Sequence, residues 1–251
     1  MKHLTILTGA SRGMGLAIAE QICTPGAVVL CISRSASPGL EQRARVRGAE
    51  LSQWSGDLAD PIPVAARLQA WLSGVDHGAL ASATLINNAG VVGRLGPLDP
   101  PDHAGLATTL RVDLEAPMQL TAAFLAATRG WAVPRKILNI SSGLGRRAMA
   151  GAAMYCAAKA GIDHFSRCVA LDEALRPEGA RIVSLAPGVI DTDMQSDLRA
   201  GDSVGFPDRE GFVRMKESGA LTTPADAARR VLDYLARDDF GSQPVADVRD
   251  A

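Results

Sequence analysis

The sequence predicts an α/β fold in a single domain spanning 1–251, a doubly wound parallel sheet of about seven strands with helices on both faces. Three observations predict it. Short β-branched or leucine-rich runs recur at 3–8, 27–32, 49–54, 83–87, 135–141, 180–186 and 243–248. Amphipathic stretches lie between them, near 13–23, 38–47, 61–73, 102–128, 152–176 and 224–237, and strict alternation of this kind builds parallel βαβ units. A glycine-rich turn joins the first strand to the first helix, the order that a doubly wound sheet uses at its ligand crevice.

In chain order, "HLTILT" from residue 3 is the first strand, and "LTGASRGMG" carries it into the first helix. "GAVVLCI" at 26–32 is the second strand and is far too short to span a bilayer. Later strands end in "LINNAG" (85–90), "KILNISSG" (136–143) and "SLAPGVIDT" (184–192), so each of these motifs falls on the carboxyl rim of the sheet. Right-handed crossovers send the intervening helices to both faces. One long stretch breaks the alternation. "DTDMQSDLRAGDSVGFPD" at 191–208 is rich in Gly, Asp and Ser and reads as irregular, the start of a substrate lid near 191–217.

Composition narrows the class of function. With 47% hydrophobic and 21% charged residues the chain is of ordinary globular type, and a formal charge of −1 argues against an electrostatic grip on nucleic acid or an acidic membrane. Small molecules are the expected partners. The first strand starts too early to leave room for a charged leader and apolar stretch, which points to a cytoplasmic protein. Cys23, Cys31, Cys156 and Cys168 lack paired spacing and are expected to be buried free thiols. The four histidines are equally scattered, so no metal site is expected.

The glycine turn has glycines at 9, 13 and 15. Such a turn lets a phosphate approach the backbone, while the free N–H groups and positive end of the following helix attract it. The expected ligand is a dinucleotide. The second strand ends in Ser33 and Arg34, with no carboxylate until Glu41. An acidic residue there would hold the ribose 2′-hydroxyl of NAD, whereas a 2′-phosphate needs positive charge. Arg34 and Arg12, which sits inside the turn, therefore point to NADP(H), since guanidinium suits a bidentate hold on phosphate.

Tyr155 and Lys159 lie four residues apart in "AMYCAAKAGIDHF", on one face of a helix, in a chain with only two tyrosines. A phenol with a pKa of about 10 gives up its proton poorly unless a nearby cation stabilises the anion. Lys159 is that cation. Ser142 lies upstream at the rim of the fifth strand.

The T-G-x-x-x-G-x-G turn, "NNAG", Ser142, the Tyr-x-x-x-Lys pair and "PGVIDT", in this order over nearly the whole chain, resemble the short-chain dehydrogenase/reductase family, which has a Rossmann-type fold. That resemblance implies that Tyr155 is the general acid in carbonyl reduction and that Ser142 binds the substrate carbonyl. It implies that Lys159 sets the tyrosine's pKa and binds the nicotinamide ribose. Gly9, Ser11, Arg12, Gly13, Met14 and Gly15 would surround the phosphates and adenosine ribose, and Asp57 and Leu58 would meet the adenine. Asn88, Ala89 and Gly90 would line the cofactor trough, and Pro187, Gly188, Ile190 and Thr192 would grip the nicotinamide.

The chain departs from the family pattern at Asp113, where many members carry an asparagine in "RVN" that completes a proton relay. Asp113 either preserves the relay through its backbone carbonyl, raises neighbouring pKa values as a carboxylate, or is a solvated helix residue. The last third is most similar to the sepiapterin reductase and benzil reductase branch, on "APGVIDTDMQ", "MKESGALTTP" and "LARDDFGSQPVADV". Asp247 falls where the pterin reductases anchor substrate and is equally readable as a solvated strand-edge carboxylate. Ala152 replaces a tryptophan of that branch. The family also implies a homodimer or homotetramer, and the small face of Ala153, Ala157, Ala160 and Gly161 permits close helix approach or core packing. The resulting expectation is an NADPH-dependent reductase of a small ketone, diketone or pterin side-chain ketone. Its rivals are an NAD(P)-linked alcohol dehydrogenase working oxidatively and a non-catalytic dinucleotide-binding regulator.

Overall fold

The computed structural model describes residues 1–201 and 205–250. The chain runs β1 (Lys2–Thr8), α1 (Gly13–Ile22), β2 (Ala27–Ser33), α2 (Pro38–Val46), β3 (Glu50–Ser55), α3 (Pro61–Ser73) and β4 (Leu80–Asn87). It continues through α4 (His103–Leu110), a π-helical segment (Arg111–Glu115), α5 (Ala116–Thr128), β5 (Arg135–Ile140), α6 (Ala153–Ala174) and β6 (Arg181–Ala186). It closes with α7 (Asp193–Ala200), α8 (Arg209–Glu217), α9 (Pro224–Ala236) and β7 (Val245–Asp247).

All seven strands pair in parallel in the order β3-β2-β1-β4-β5-β6-β7. The order reverses between β1 and β4, which opens a crevice at their carboxyl ends. Both faces of the sheet are buried, so the strands are nearly continuous apolar runs rather than alternating ones. Neighbouring residues serve opposite faces. Ile6, Leu85, Ile137 and Ile182 pack with Leu68 and Leu72 of α3 and Leu120 and Phe124 of α5. Leu7, Ile86, Leu138 and Val183 pack with Ile18 of α1 and Val231 and Tyr234 of α9.

Three local expectations are corrected. The predicted helix at 102–128 is interrupted at Arg111–Glu115, where the Ala116 N–H bonds the Arg111 carbonyl in an i+5 turn. Pro117 has no N–H to return to the Asp113 carbonyl, so the regular ladder fails there. The stretch 191–208 is not wholly irregular, because Asp193–Ala200 is helical, with Met194 and Leu198 four apart and turned to an apolar cluster. Its many polar residues hide that spacing; Asp202, Ser203 and Val204 lie outside the described residues. Of the cysteines, Cys23 and Cys31 are buried, Cys156 is half-buried and Cys168 is exposed. Helix α6 turns Cys168 outward, and burial pushes the Cys31 thiol up to about 12. Among the described residues no helix is long and apolar enough to cross a membrane.

Near the end of α6, Glu173 is buried and accepts from the Ala180 N–H at 2.8 Å and from Arg129 at 2.7 Å. Burial would raise this carboxyl, but those two bonds outweigh it and hold it below the ordinary glutamate range. The stabilisation is therefore complete above a pH of about 4.3 and is lost as pH falls through the depressed value. Glu173→Gln is predicted to cost about 2–4 kcal/mol at pH 7, and its melting curve should converge on that of the wild type as pH drops. Calorimetry from pH 7 to pH 3 checks it; parallel curves would contradict it.

Candidate active site

The glycine turn seats α1 directly on β1. Gly9 and Gly13 have φ of +70° and +56°, in the left-handed region that side chains disfavour. A Cβ on Gly15 would lie 2.1 Å from the Gly9 carbonyl oxygen, and one on Gly9 would lie 2.8 Å from Ala89 Cα. Glycine is required by close approach at both places. The turn is then locked to β4: the Thr8 hydroxyl accepts the N–H groups of Asn88 (2.9 Å) and Ala89 (3.0 Å). The Asn88 amide donates to the carbonyls of Thr8 (3.0 Å) and Gly9 (3.3 Å). The Ser33 hydroxyl accepts from the Ala10 N–H at 2.8 Å and ties in β2.

Above these strand ends lies a cleft of about 630 Å³. Gly9, Ser11, Arg12, Gly13, Met14 and Gly15 line one end, with Ser33, Arg34, Asp57 and Leu58 beside them. Asn88, Ala89 and Gly90 form its floor, and Pro187, Gly188, Ile190 and Thr192 wall it from β6. The cleft thus brings together every dinucleotide-contact residue that the sequence motifs single out. Arg12 is held by Asp193 of α7 in an exposed ion pair of 2.8 Å that bridges the cleft mouth.

Ser142, Tyr155 and Lys159 all line this cleft. Ser142 follows β5, and its hydroxyl accepts from the Leu144 N–H at 3.2 Å and faces the Tyr155 phenol, where it favours the phenolate. Buried Asp163 steadies this loop, accepting from Ser141 (2.6 Å) and Ser184 (2.7 Å), with Arg146 3.3 Å away. Tyr155 is nearly buried, and the Lys159 ammonium lies 5.4 Å from its ring centroid. Lys159 donates to the Ile140 carbonyl at 3.1 Å and pairs with the Asp113 carboxylate at 3.1 Å.

Asp113 is 1% exposed, which rules out the solvated reading. The π-helical segment turns it inward behind Lys159, and it accepts the Val91 N–H at 2.8 Å. Burial raises its carboxyl, against the pull of Lys159 and the Val91 N–H. Burial pulls Lys159 down, but Asp113 and Tyr155 outweigh it and leave the ammonium above its ordinary value. Burial also raises the Tyr155 phenol; Lys159 opposes this and Asp113 adds to it.

Asp247 is neither solvated nor free. It is 5% exposed, and Arg249 binds it through its backbone N–H (2.9 Å), Nε (2.8 Å) and Nη2 (2.6 Å). It is Arg249, not Asp247, that lines the cleft. Sequence reasoning missed the apolar end of the cleft, where Val92, Leu95, Met149, Leu198 and Phe212 gather beside Tyr155. Val92, Leu95 and Met149 share no motif with the rest, and the apolar positions in 194–215 are obscured by their charged neighbours.

Thr8 Oγ1 satisfies two N–H groups at the bottom of the cleft, so the isosteric Thr8→Val should leave both unpaired. The expected loss is roughly 2–4 kcal/mol of unfolding free energy, read by urea denaturation. A change under about 0.5 kcal/mol would mean that water replaces the hydroxyl.

The family model described as short chain dehydrogenase matches residues 3–203. The chain is 34% identical over 235 residues to a benzil reductase ((S)-benzoin forming) of Bacillus cereus, covering 94% of each chain. It is 32% identical over 257 residues to the sepiapterin reductase of Mus musculus, covering 98% of this chain and 96% of that one. A crystal structure of a short-chain dehydrogenase/reductase from Burkholderia vietnamiensis is 36% identical, with a TM-score of 0.65 and complete coverage of both chains. The turn, the parallel sheet and the convergence of Ser142, Tyr155 and Lys159 agree with that match, and the chain belongs to the short-chain dehydrogenase/reductase family of oxidoreductases.

Proposed function

We propose that this protein is an NADPH-dependent carbonyl reductase that converts a small aromatic or apolar ketone or diketone to the alcohol, with Tyr155 as general acid. The observation that carries this reading is that Ser142, Tyr155 and Lys159 share one cleft with a glycine cradle on one side and an apolar wall on the other. The cradle fits a dinucleotide, because the glycine turn lines the cleft at the amino end of α1, where free N–H groups can bind phosphate. A bound reduced nicotinamide would supply the hydride.

The protein's own part is orientation and proton transfer. The Ser142 hydroxyl donates to the substrate carbonyl oxygen and polarises it. Tyr155 donates its phenolic proton to the same oxygen as negative charge develops there. Lys159, held by the Ile140 carbonyl and Asp113, stands ready to compensate the phenolate. Val92, Leu95, Met149, Leu198 and Phe212 exclude water around the reacting carbonyl. The helices of 191–217 act as the cover: their base is fixed by the Asp191 N–H to Thr222 carbonyl bond (2.9 Å) and their mouth by Arg12 with Asp193.

Two observations favour a diketone over a pterin. Ala152 leaves open the space that a tryptophan would fill, and the Asp247 carboxylate is occupied by Arg249. Similarity to benzil reductase supports the same choice. Arg12 and Arg34 at the adenosine end, with no carboxylate closing β2, support NADPH over NADH. The exposed face of Ala153, Ala157 and Ala160 supports the dimeric or tetrameric assembly that the family implies.

Tyr155→Phe should lower the turnover of aromatic diketones about a hundredfold to ten-thousandfold while dinucleotide affinity changes little, as read by NADPH consumption beside equilibrium binding. Retained turnover would overturn the assignment of the acid, and binding without turnover in the wild type would favour a regulator. Arg34→Ala should lower the preference for NADPH over NADH by at least about tenfold, given the strength of guanidinium–phosphate pairs, and an unchanged ratio of Michaelis constants would contradict the 2′-phosphate reading.

A further inference from the structure

We propose that Asp113 is a positioning residue that acts through Lys159 to keep the Tyr155 phenol protonated at neutral and mildly alkaline pH, and thereby favours carbonyl reduction over alcohol oxidation. The preference for direction rests on the reductase reading above; the effect on the phenol does not.

The geometry is that of a closed charge cluster. Asp113 Oδ1 is fixed by the Val91 N–H, and Oδ2 lies 3.1 Å from Lys159 Nζ with no other partner among the described residues. Gly90 covers the pair, since a Cβ there would lie 3.4 Å from Asp113 Oδ2 and 3.6 Å from Lys159 Nζ. The groups facing the phenol are Lys159 and Cys156 on α6, Asp113 on the π-helical segment and the Ser142 hydroxyl after β5. Those facing the ammonium are Asp113, Tyr155 and Asp163, together with the Ile140 carbonyl.

Net charge then decides the proton. With a neutral residue at 113, the ammonium and phenol together would carry one positive charge, and losing a proton would bring the buried pair to neutrality. With the Asp113 carboxylate the cluster is already neutral, so losing the phenolic proton leaves one ammonium shared between two anions and a net negative charge away from water. Creating that charge is the costlier event. Because the groups are coupled, the change belongs to the cluster, whichever group loses its proton first. A phenol that keeps its proton stays in the form that can donate to a carbonyl oxygen up to a higher pH, and the phenolate that would act as base toward an alcohol is scarce near neutrality.

The chain has only two tyrosines, so a Tyr234→Phe background leaves Tyr155 as the one phenol to titrate. Tyr234 packs against Phe240, outside the cleft. The near-ultraviolet phenolate signal is followed against pH in this background, alone and with Asp113→Asn, which keeps the shape and an oxygen for the Val91 N–H. Asp113→Ser, also uncharged, is titrated in parallel in case the amide does not fold. The expected result is a fall in the phenolate midpoint of at least about one pH unit, a tenfold change in proton affinity. The alkaline limb of diketone reduction should move down by a similar amount, with faster alcohol oxidation near neutral pH. A midpoint that stays or rises in a folded variant overturns the proposal. Failure of the reductase reading has a different signature, turnover that survives Tyr155→Phe, and leaves the phenol titration interpretable.

Discussion

The site depends on a single constraint, the need of a buried ammonium for compensation. Lys159 is 5% exposed, and an unpaired charge at that depth would cost several kcal/mol. It is satisfied by the Asp113 carboxylate, the Ile140 carbonyl and the face of Tyr155. These groups belong to the π-helical segment, the end of β5 and α6, so satisfying one charge fixes the relative position of three elements. The same contacts hold the phenol beside Ser142. Sheet order supplies the rest: reversal between β1 and β4 leaves an open crevice, and Thr8 and Asn88 bind its two edges together.

The cleft is divided in chemical character. Its glycine end offers backbone N–H groups, the amino end of α1 and two arginines, a surface that suits phosphates. Its far end is a hydrophobic box built from Val92, Met149, Leu198 and Phe212. Between them the ionisable cluster works where water is scarce and electrostatic effects are large. The Arg12–Asp193 bridge over the mouth is exposed, and such pairs contribute only about 0–1 kcal/mol.

Much of this was legible in the sequence because the informative residues are local. Each strand is a short apolar run, and each motif sits where a strand meets the carboxyl rim, so chain order alone brings the glycine turn, Asn88, Ser142, Tyr155 and Pro187 to one edge. What was not legible depends on contacts between distant segments. Asp113 lies on a π-helical segment and faces inward, a placement that the polar character of its stretch does not signal. The apolar wall draws on residues from 92 to 212 that share no motif. The burial of Asp247 depends on its pairing with Arg249, which no strand pattern signals, and the outward-facing Cys168 shows that a cysteine in a helix body need not be buried.

A crystal structure of the protein with NADP and an aromatic diketone tests the central claim most directly. The account predicts one substrate carbonyl oxygen within hydrogen-bond distance of both Ser142 Oγ and the Tyr155 hydroxyl, its carbon facing C4 of the nicotinamide, with Lys159 still between Asp113 and the ribose. A carbonyl bound away from Tyr155, or a Lys159 that leaves Asp113 for another partner, would contradict it.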